Sequence, residues 1–406
     1  MAPVTAPDAS VPHDPASYEL VPCASIRDVG EAEYRALVGP ATPPFLRFEW
    51  LDALERTGCA VAERGWLPQF LALYRSHEGA RRLVAVAPAY LKWHSDGEFV
   101  FDHSWADFAE RRLGLDYYPK LILAVPFTPA TGPKLLVRDG EDAIAAHRAL
   151  AAGVERLLAH VPLSSAHVLF PPEEEAERFG SLGWARRFGI QFHWQNPGYS
   201  SYEDFLNRFT AKRRAALRRE ERDLLASGVA LEVRTGKDLD EEAVDAAYTF
   251  YLSTVDKYVW GRRYLNRDFF FRVAETMPEH LHLVLARDRA SGRLIGGAFN
   301  LLGRDTLYGR YWGASEERPF LHFNVCFYAG IRECITRGLT RFEPGAGGEH
   351  KHARGFEATI THSAHTILDP TLDAAVRDFL DRERRAVVHS VERAREIAAM
   401  RPFERG

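Results

Sequence analysis

The sequence predicts an α/β protein of two similar halves, with mixed central sheets flanked by helices and a long C-terminal helix. Three observations lead there. Strand-like and helix-like runs alternate along the chain. A strand–turn–strand–turn–strand pattern occurs once in each half. The 406 residues are 46% hydrophobic, enough to fill a sizeable core, and domains usually run about 100–200 residues.

The second half is the more regular. Residues 201–226 (SYEDFLNRFTAKRRAALRREERDLLA) have helical spacing, and Gly228 stops them. Residues 229–234 (VALEVR) alternate as a strand does. Helices follow at 239–257 and 266–277, the latter ended by Pro278. Three strands come next, at 281–287, 294–302 and 306–313, joined by turn residues at 288–292 and 303–305. A helix at 322–337 ends on Gly338, short strands lie at 340–344 and 358–368, and a charged helix runs from 372 to 400.

The first half echoes this order. Residues 69–75, a turn at 76–79, residues 82–93 and residues 98–102 (EFVFD) form its three strands. A helix at 105–112, a strand at 119–125, and a helix, strand and helix at 153–159, 167–170 and 173–182 complete it. The expected organisation is a disordered lead-in at 1–17, halves at 18–196 and 197–370, and the closing helix at 371–406.

A net charge of −4 lacks the basic field of a general nucleic-acid binder. Cys23, Cys59, Cys326 and Cys334 form no CxxC pair, which suits a reducing compartment without a disulfide framework. The N-terminus lacks the basic and apolar regions of a signal peptide, and no apolar run approaches the roughly 20 residues that span a bilayer. A cytoplasmic location is therefore expected. Basic residues are mostly arginine, so the lysines, at 92, 120, 134, 212, 237, 257 and 351, draw more interest.

The densest site candidate is 343–354 (EPGAGGEHKHAR). Its glycines permit close backbone approach. Glu343, Glu349 or His350 can take a proton from an amine, and Lys351 or Arg354 can hold an anion or a developing oxyanion. The plain alternative is an exposed polar loop. His350, His352, His362 and His365 raise metal binding as a rival, but no carboxylate or cysteine spacing completes a ligand set, so no metal is expected.

Tyr308, Arg310 and Trp312 alternate along one strand, which would put them on one face as a binding wall or an ordinary half-buried surface. Lys212, Arg213 and Arg214 open a helix and can meet phosphate, or form a solvated face balanced by Glu220, Glu221 and Asp223. His103, Trp105 and Asp107 lie at a strand–helix junction that Ser104 can cap. Residues 126–133 (PFTPATGP) form a rigid loop of the kind that shapes a cleft.

The order β-α-α-β-β-β-α-β-β from Val229 resembles the GNAT N-acetyltransferase superfamily. Acetyl-CoA enzymes of that superfamily hold pyrophosphate on a glycine-rich loop after the third of these strands. Here that connection, 314–319 (ASEERP), has no glycine and two carboxylates. The stretches FDHSWADFAERRLGLDYYPKLILAVPFTPATGPKLL, KRRAALRRE, LYGRYWG, LHFNVCFY and EPGAGGEHKHARGFEATITHSAH resemble the FemAB-like (DUF482) bacterial proteins of the same superfamily, over roughly residues 45–368. The related Fem ligases are also tandem GNAT-like proteins, transferring an aminoacyl group from aminoacyl-tRNA to an amine on a cell-wall precursor. That resemblance implies an amide-forming transferase in the cytoplasm and a phosphate-binding role for Lys212, Arg213 and Arg214. It implies no firm cofactor: the acyl donor is aminoacyl-tRNA or acyl-CoA, and the acceptor is a peptide or small-molecule amine. Two positions depart from the family pattern. Asn324, after Leu321-His322-Phe323, stands where a Glu is usual, and Gly347 stands where a Gln is usual. A non-catalytic module that recognises a cell-wall precursor, gaining weight from Asn324, and a CoA-dependent N-acyltransferase are the alternative readings.

Overall fold

The computed structural model describes residues 18–77, 80–257, 263–396 and 400, without the side chains of His77, Ala80 and Glu349. The expected lead-in at 1–17 and most of the chain beyond Glu396 lie outside the described residues.

The first half contributes β1 (Tyr18–Cys23), β2 (Leu67–Pro68), β3 (Phe70–His77), β4 (Ala80–Ala87), β5 (Ala89–Lys92), β6 (Lys120–Leu123), β7 (Leu136–Val137), β8 (Ser165–Leu169) and β9 (Ala185–Gln195). The second contributes β10 (Val229–Thr235), β11 (Leu281–Asp288), β12 (Leu294–Leu302), β13 (Thr306–Ala314), β14 (Arg341–Glu343) and β15 (Glu357–Ile367). Strands β1-β3-β4-β7 form a small sheet, and the others form an eleven-stranded sheet, ordered β10-β11-β12-β13-β14-β9-β15-β8-β6-β5-β2.

That order interleaves the halves. β9 pairs with β14 of the second half, and β15 pairs with β8 of the first. β9 and β15 also pair with each other from Glu357↔His193 to His365↔Ala185. The core is shared as well. Trp50, on the helix Phe48–Arg56, meets Phe269, on the helix Arg267–Thr276, edge-on at 4.9 Å between centroids. Phe45 meets Tyr308 at 5.1 Å. The helix Pro370–Glu396 packs on β9 and β15, burying Leu372, Val376 and Leu380. Among the described residues no helix is long and apolar enough to cross a membrane.

Several elements differ from the sequence reading, each for a local reason. The expected helix at 201–226 is two, Tyr202–Asn207 and Ala211–Ala226, because Ser201 and Thr210 each cap a separate start by accepting from Asp204 N and Arg213 N. The expected strand at 82–93 divides at Pro88, which has no amide to donate, and its parts join different sheets. Residues 98–102 form no strand, since Glu98 and Asp102 are drawn inward onto Lys120 Nζ at 2.9 and 2.5 Å. The helix at 322–337 starts at Leu321 and passes through a π turn, Asn324–Tyr328. β1 and β9 were not foreseen: β9 mixes charge, aromatics and glycine (ARRFGIQFHWQ) and lacks clean alternation.

Candidate active site

A cavity of about 630 Å³ opens where β13, the loop after β14, the start of the 321–337 helix and the helix Glu241–Val255 converge. The first half supplies Phe99, Phe127 and Pro129 to its wall. Backbone geometry shapes it. β12 and β13 slip register at Phe299/Asn300, leaving Arg310 without a partner residue between Gly309 and Tyr311. This bulge overturns the expected alternation. Tyr308 and Tyr311 share the face packed against the 241–255 and 267–276 helices, whereas Trp312 packs on the opposite face with Ala298 and Leu321. Helix and strand approach closely at Gly313, where a Cβ would lie 1.8 Å from Phe250 O. Gly345, Gly347 and Gly348 all hold positive φ, which lets the loop after β14 turn back over the cavity.

Lys351 lies on this wall, 4% exposed. Its Nζ donates to Gly345 O at 2.6 Å and Ala346 O at 3.4 Å. Burial, with no carboxylate partner among the described residues, pushes its pKa down to about 8. An ammonium has three donors, so two carbonyls leave one N–H for the cavity. His322 stacks on Trp312 at 4.3 Å between centroids and lies 5.5 Å from the His350 ring. Burial, then the charges of His350, Arg354 and Lys351, lower its pKa to about 4. Burial and the same two cations also lower that of His350, at the cavity edge. Both imidazoles are therefore neutral at pH 7. Burial keeps the Tyr311 hydroxyl, on the same wall, protonated. Arg310 lines the cavity and donates to Phe127 O across the two halves.

Other sequence candidates hold this wall in place. Arg354 is buried and paired twice with Glu220, its Nη2 lying 3.0 and 2.9 Å from the two carboxylate oxygens. It also donates to Tyr328 Oη at 2.9 Å and His350 O at 3.0 Å, and its guanidinium lies 3.3 Å over Phe323. Glu220 lies on the helix Ala211–Ala226, so this hub ties that helix to the turn bearing His350 and Lys351. Asn324 is buried in the π turn, and its Nδ2 donates to Glu220 O and Phe320 O. Arg213 donates to Ala353 O at 2.6 Å. Glu343 is buried just behind the glycine loop, where its Oε2 accepts from Thr131 N at 3.0 Å and Arg341 Nε lies 3.2 Å from Oε1.

The remaining candidates lie elsewhere. Tyr308 is buried against Phe45. Lys212 is exposed, and Arg214 donates to Phe209 O. His103 stacks on exposed Phe101, Asp107 pairs with Arg111, and buried Trp105 packs on His365 at 5.0 Å. His362 packs on Phe188, and His365 bonds His167, Nδ1 to Nδ1, at 2.7 Å. No group of three or more His, Cys, Asp or Glu among the described residues could hold a metal ion. The Glu349 side chain lies outside the described residues.

Two features were missed from sequence. One is the aromatic wall from Tyr251, Phe327, Phe127 and Phe99, which four separate segments bring together. The other is a buried polar centre around Lys120, Glu98, Asp102 and His167 of the first half and His365 of the second. The scarcity of lysine was the available signal: Lys92, Lys120, Lys134 and Lys351 are all buried.

The FemAB-like family, described as peptidoglycan biosynthesis/recognition, matches residues 25–405. No curated protein matches this chain in sequence. Among solved structures, FemX is similar at TM-score 0.50 with 12% identity, over 85% of this chain and 98% of FemX. The tandem GNAT protein from the clavulanic acid biosynthesis pathway aligns at TM-score 0.44 with 14% identity, over 87% and 99% of the chains. L-PGS from Bacillus licheniformis aligns at TM-score 0.46 with 10% identity, over 84% and 99%. Because the family match spans most of the chain, the chain belongs to the FemAB-like family, and its fold is like that of FemX.

Proposed function

We propose that this protein forms an amide, transferring an acyl or aminoacyl group to an amine in the cavity beneath the 344–351 loop. The observation that carries this is Lys351, a buried ammonium whose described partners are carbonyls, beside neutral His322 and His350. The amine nitrogen bonds to the acyl carbon as the carbonyl oxygen takes up charge. Lys351 can hold that oxyanion in a poorly solvated wall, where such a donor is worth most. The bond from acyl carbon to the leaving thiol or ester oxygen then breaks. His350 is the better proton acceptor for the amine, because a base as weak as His322, at about 4, is half-protonated far below working pH. The Tyr311 hydroxyl can protonate the leaving group.

The family description supports an acceptor related to the cell wall. The donor is an acyl-CoA or a charged tRNA. The connection after β13 offers little for a pyrophosphate: Arg318 pairs there with Asp288 and Glu316. A donor screen with acyl-CoAs and charged tRNAs, against amine acceptors and with mass detection, tests the reading. An acylated amine should form, and Lys351→Ala should lower the rate by about 10²–10³-fold. Saturable binding with no product from any donor would replace this reading with a recognition module.

A further inference from the structure

The chemistry of the cavity wall bears on what is transferred. Its described lining residues include the cations Lys351 and Arg310 and no carboxylate. An aminoacyl group carries its own ammonium, which such a wall repels. Seven of the others are Phe, Tyr or Trp: Phe99, Phe127, Tyr251, Tyr264, Tyr311, Trp312 and Phe327. A wall of that kind suits an apolar body with one anionic or carbonyl end.

A second observation lies in the segment that carries Phe99. All the exposed Phe and Trp side chains among the described residues fall in one stretch: Trp93 (47%), Phe99 (37%), Phe101 (65%) and Phe108 (38%). In the same stretch Lys92, Glu98 and Asp102 are buried. This segment is inverted, with aromatics outward and charges inward, against the usual sense of hydrophobic burial. Lys120 holds the inversion by binding both Glu98 and Asp102. Phe99 sits at φ 61, a conformation that costs energy for a bulky residue. It belongs both to the exposed aromatics and to the cavity wall, two residues from Phe101, the most exposed of them.

We propose that the acyl group handled here is a long hydrocarbon chain. Its carbonyl end meets Lys351 and Arg310, its body lies along the aromatic wall, and its distal carbons emerge over Phe99 and Phe101. This rests on the transfer reading above for which end reacts.

Calorimetric titration with butanoate, octanoate, dodecanoate and hexadecanoate, each below its micelle concentration, tests it on the full chain. A buried CH₂ is worth about fourfold in affinity, so each four-carbon step should tighten binding at least about tenfold until the chain outruns the aromatic surface. Lys351→Gln should weaken every chain about tenfold. Phe101→Ser, at an exposed position that folding does not need, should weaken hexadecanoate several-fold more than octanoate. Equal affinity at all lengths, no binding at any length, or hexadecanoate binding indifferent to both substitutions would overturn the proposal. The two readings fail separately. Chain-length-dependent binding without transfer removes the transferase and leaves the ligand class. Transfer of a small aminoacyl group with flat chain dependence removes the ligand class and leaves the transferase.

Discussion

Lys120 and Lys351 lie in opposite halves of the molecule, and both are buried. Their surroundings give them opposite properties. Lys120 Nζ meets Ser95, Glu98 and Asp102 within hydrogen-bond distance. Burial opposes its charge, but the two carboxylates outweigh burial and push its pKa up. Asp102 also accepts from Tyr117 Oη at 2.7 Å, and beyond it the paired His167 and His365 are neutral. That centre is closed and held permanently charged at Lys120. Lys351 has two carbonyls, no described carboxylate partner, and a cavity in front of it, and burial lowers its pKa to about 8. A buried lysine surrounded by acids is a structural pin, whereas one left among carbonyls keeps a charge for use.

The largest expected effect breaks the closed centre. Lys120→Met strands Glu98 and Asp102 as buried carboxylates and should cost about 3–5 kcal/mol in chemical denaturation. A loss below about 1 kcal/mol would mean that the pair is not buried as described. Arg354→Ala strands Glu220 and frees the 349–354 turn, and should cost about 3 kcal/mol. It should also raise KM or lower kcat through displaced His350 and Lys351, which a purely structural hub elsewhere would not do. Lys351→Met removes a desolvated charge with no ion-pair partner among the described residues. Stability should stay within about 1 kcal/mol or rise, while transfer is lost. A destabilisation like that of Lys120→Met would erase the contrast. The smallest effect is at the surface: Phe101→Ser should alter stability by no more than about 0.5 kcal/mol.

The pH dependence follows from the same groups. Lys351 must be charged to hold an oxyanion, so transfer should fall as pH rises through about 8. His350 must be neutral to accept a proton, and its lowered pKa puts the acid limb below the ordinary histidine value of about 6.5. Activity that keeps rising above pH 9 would instead assign Lys351 the role of a neutral base.

The sequence made the second half legible because its strands alternate cleanly and its turns carry glycine. β12 lies at 294–302 as read, and the glycine run after β14, read as the densest site candidate, lines the cavity. What it concealed are features set by long-range packing. The alternation rule put Tyr308, Arg310 and Trp312 on one face, and the bulge at Arg310 broke it. Periodicity made 98–102 a strand, but Lys120, eighteen or more residues away, pulls Glu98 and Asp102 inward instead. Nothing local in residues 185–195 signals that β9 will pair with β14 and β15, since those partners come more than 140 residues later. Arg354 looked like an anion holder, and only its distance to Glu220 shows that its charge is already used.

The most direct test of the contrast needs no substrate. Competitive acylation of all lysines with a trace amine reagent, between pH 6 and 11, can be read at each position by mass spectrometry. Lys351 should become reactive with a midpoint near pH 8, well below the ordinary lysine value of about 10.4, and Lys120 not at all while the protein stays folded. Lys351 becoming reactive only near the ordinary lysine value of about 10.4, or Lys120 reacting as readily as Lys351, would contradict the account.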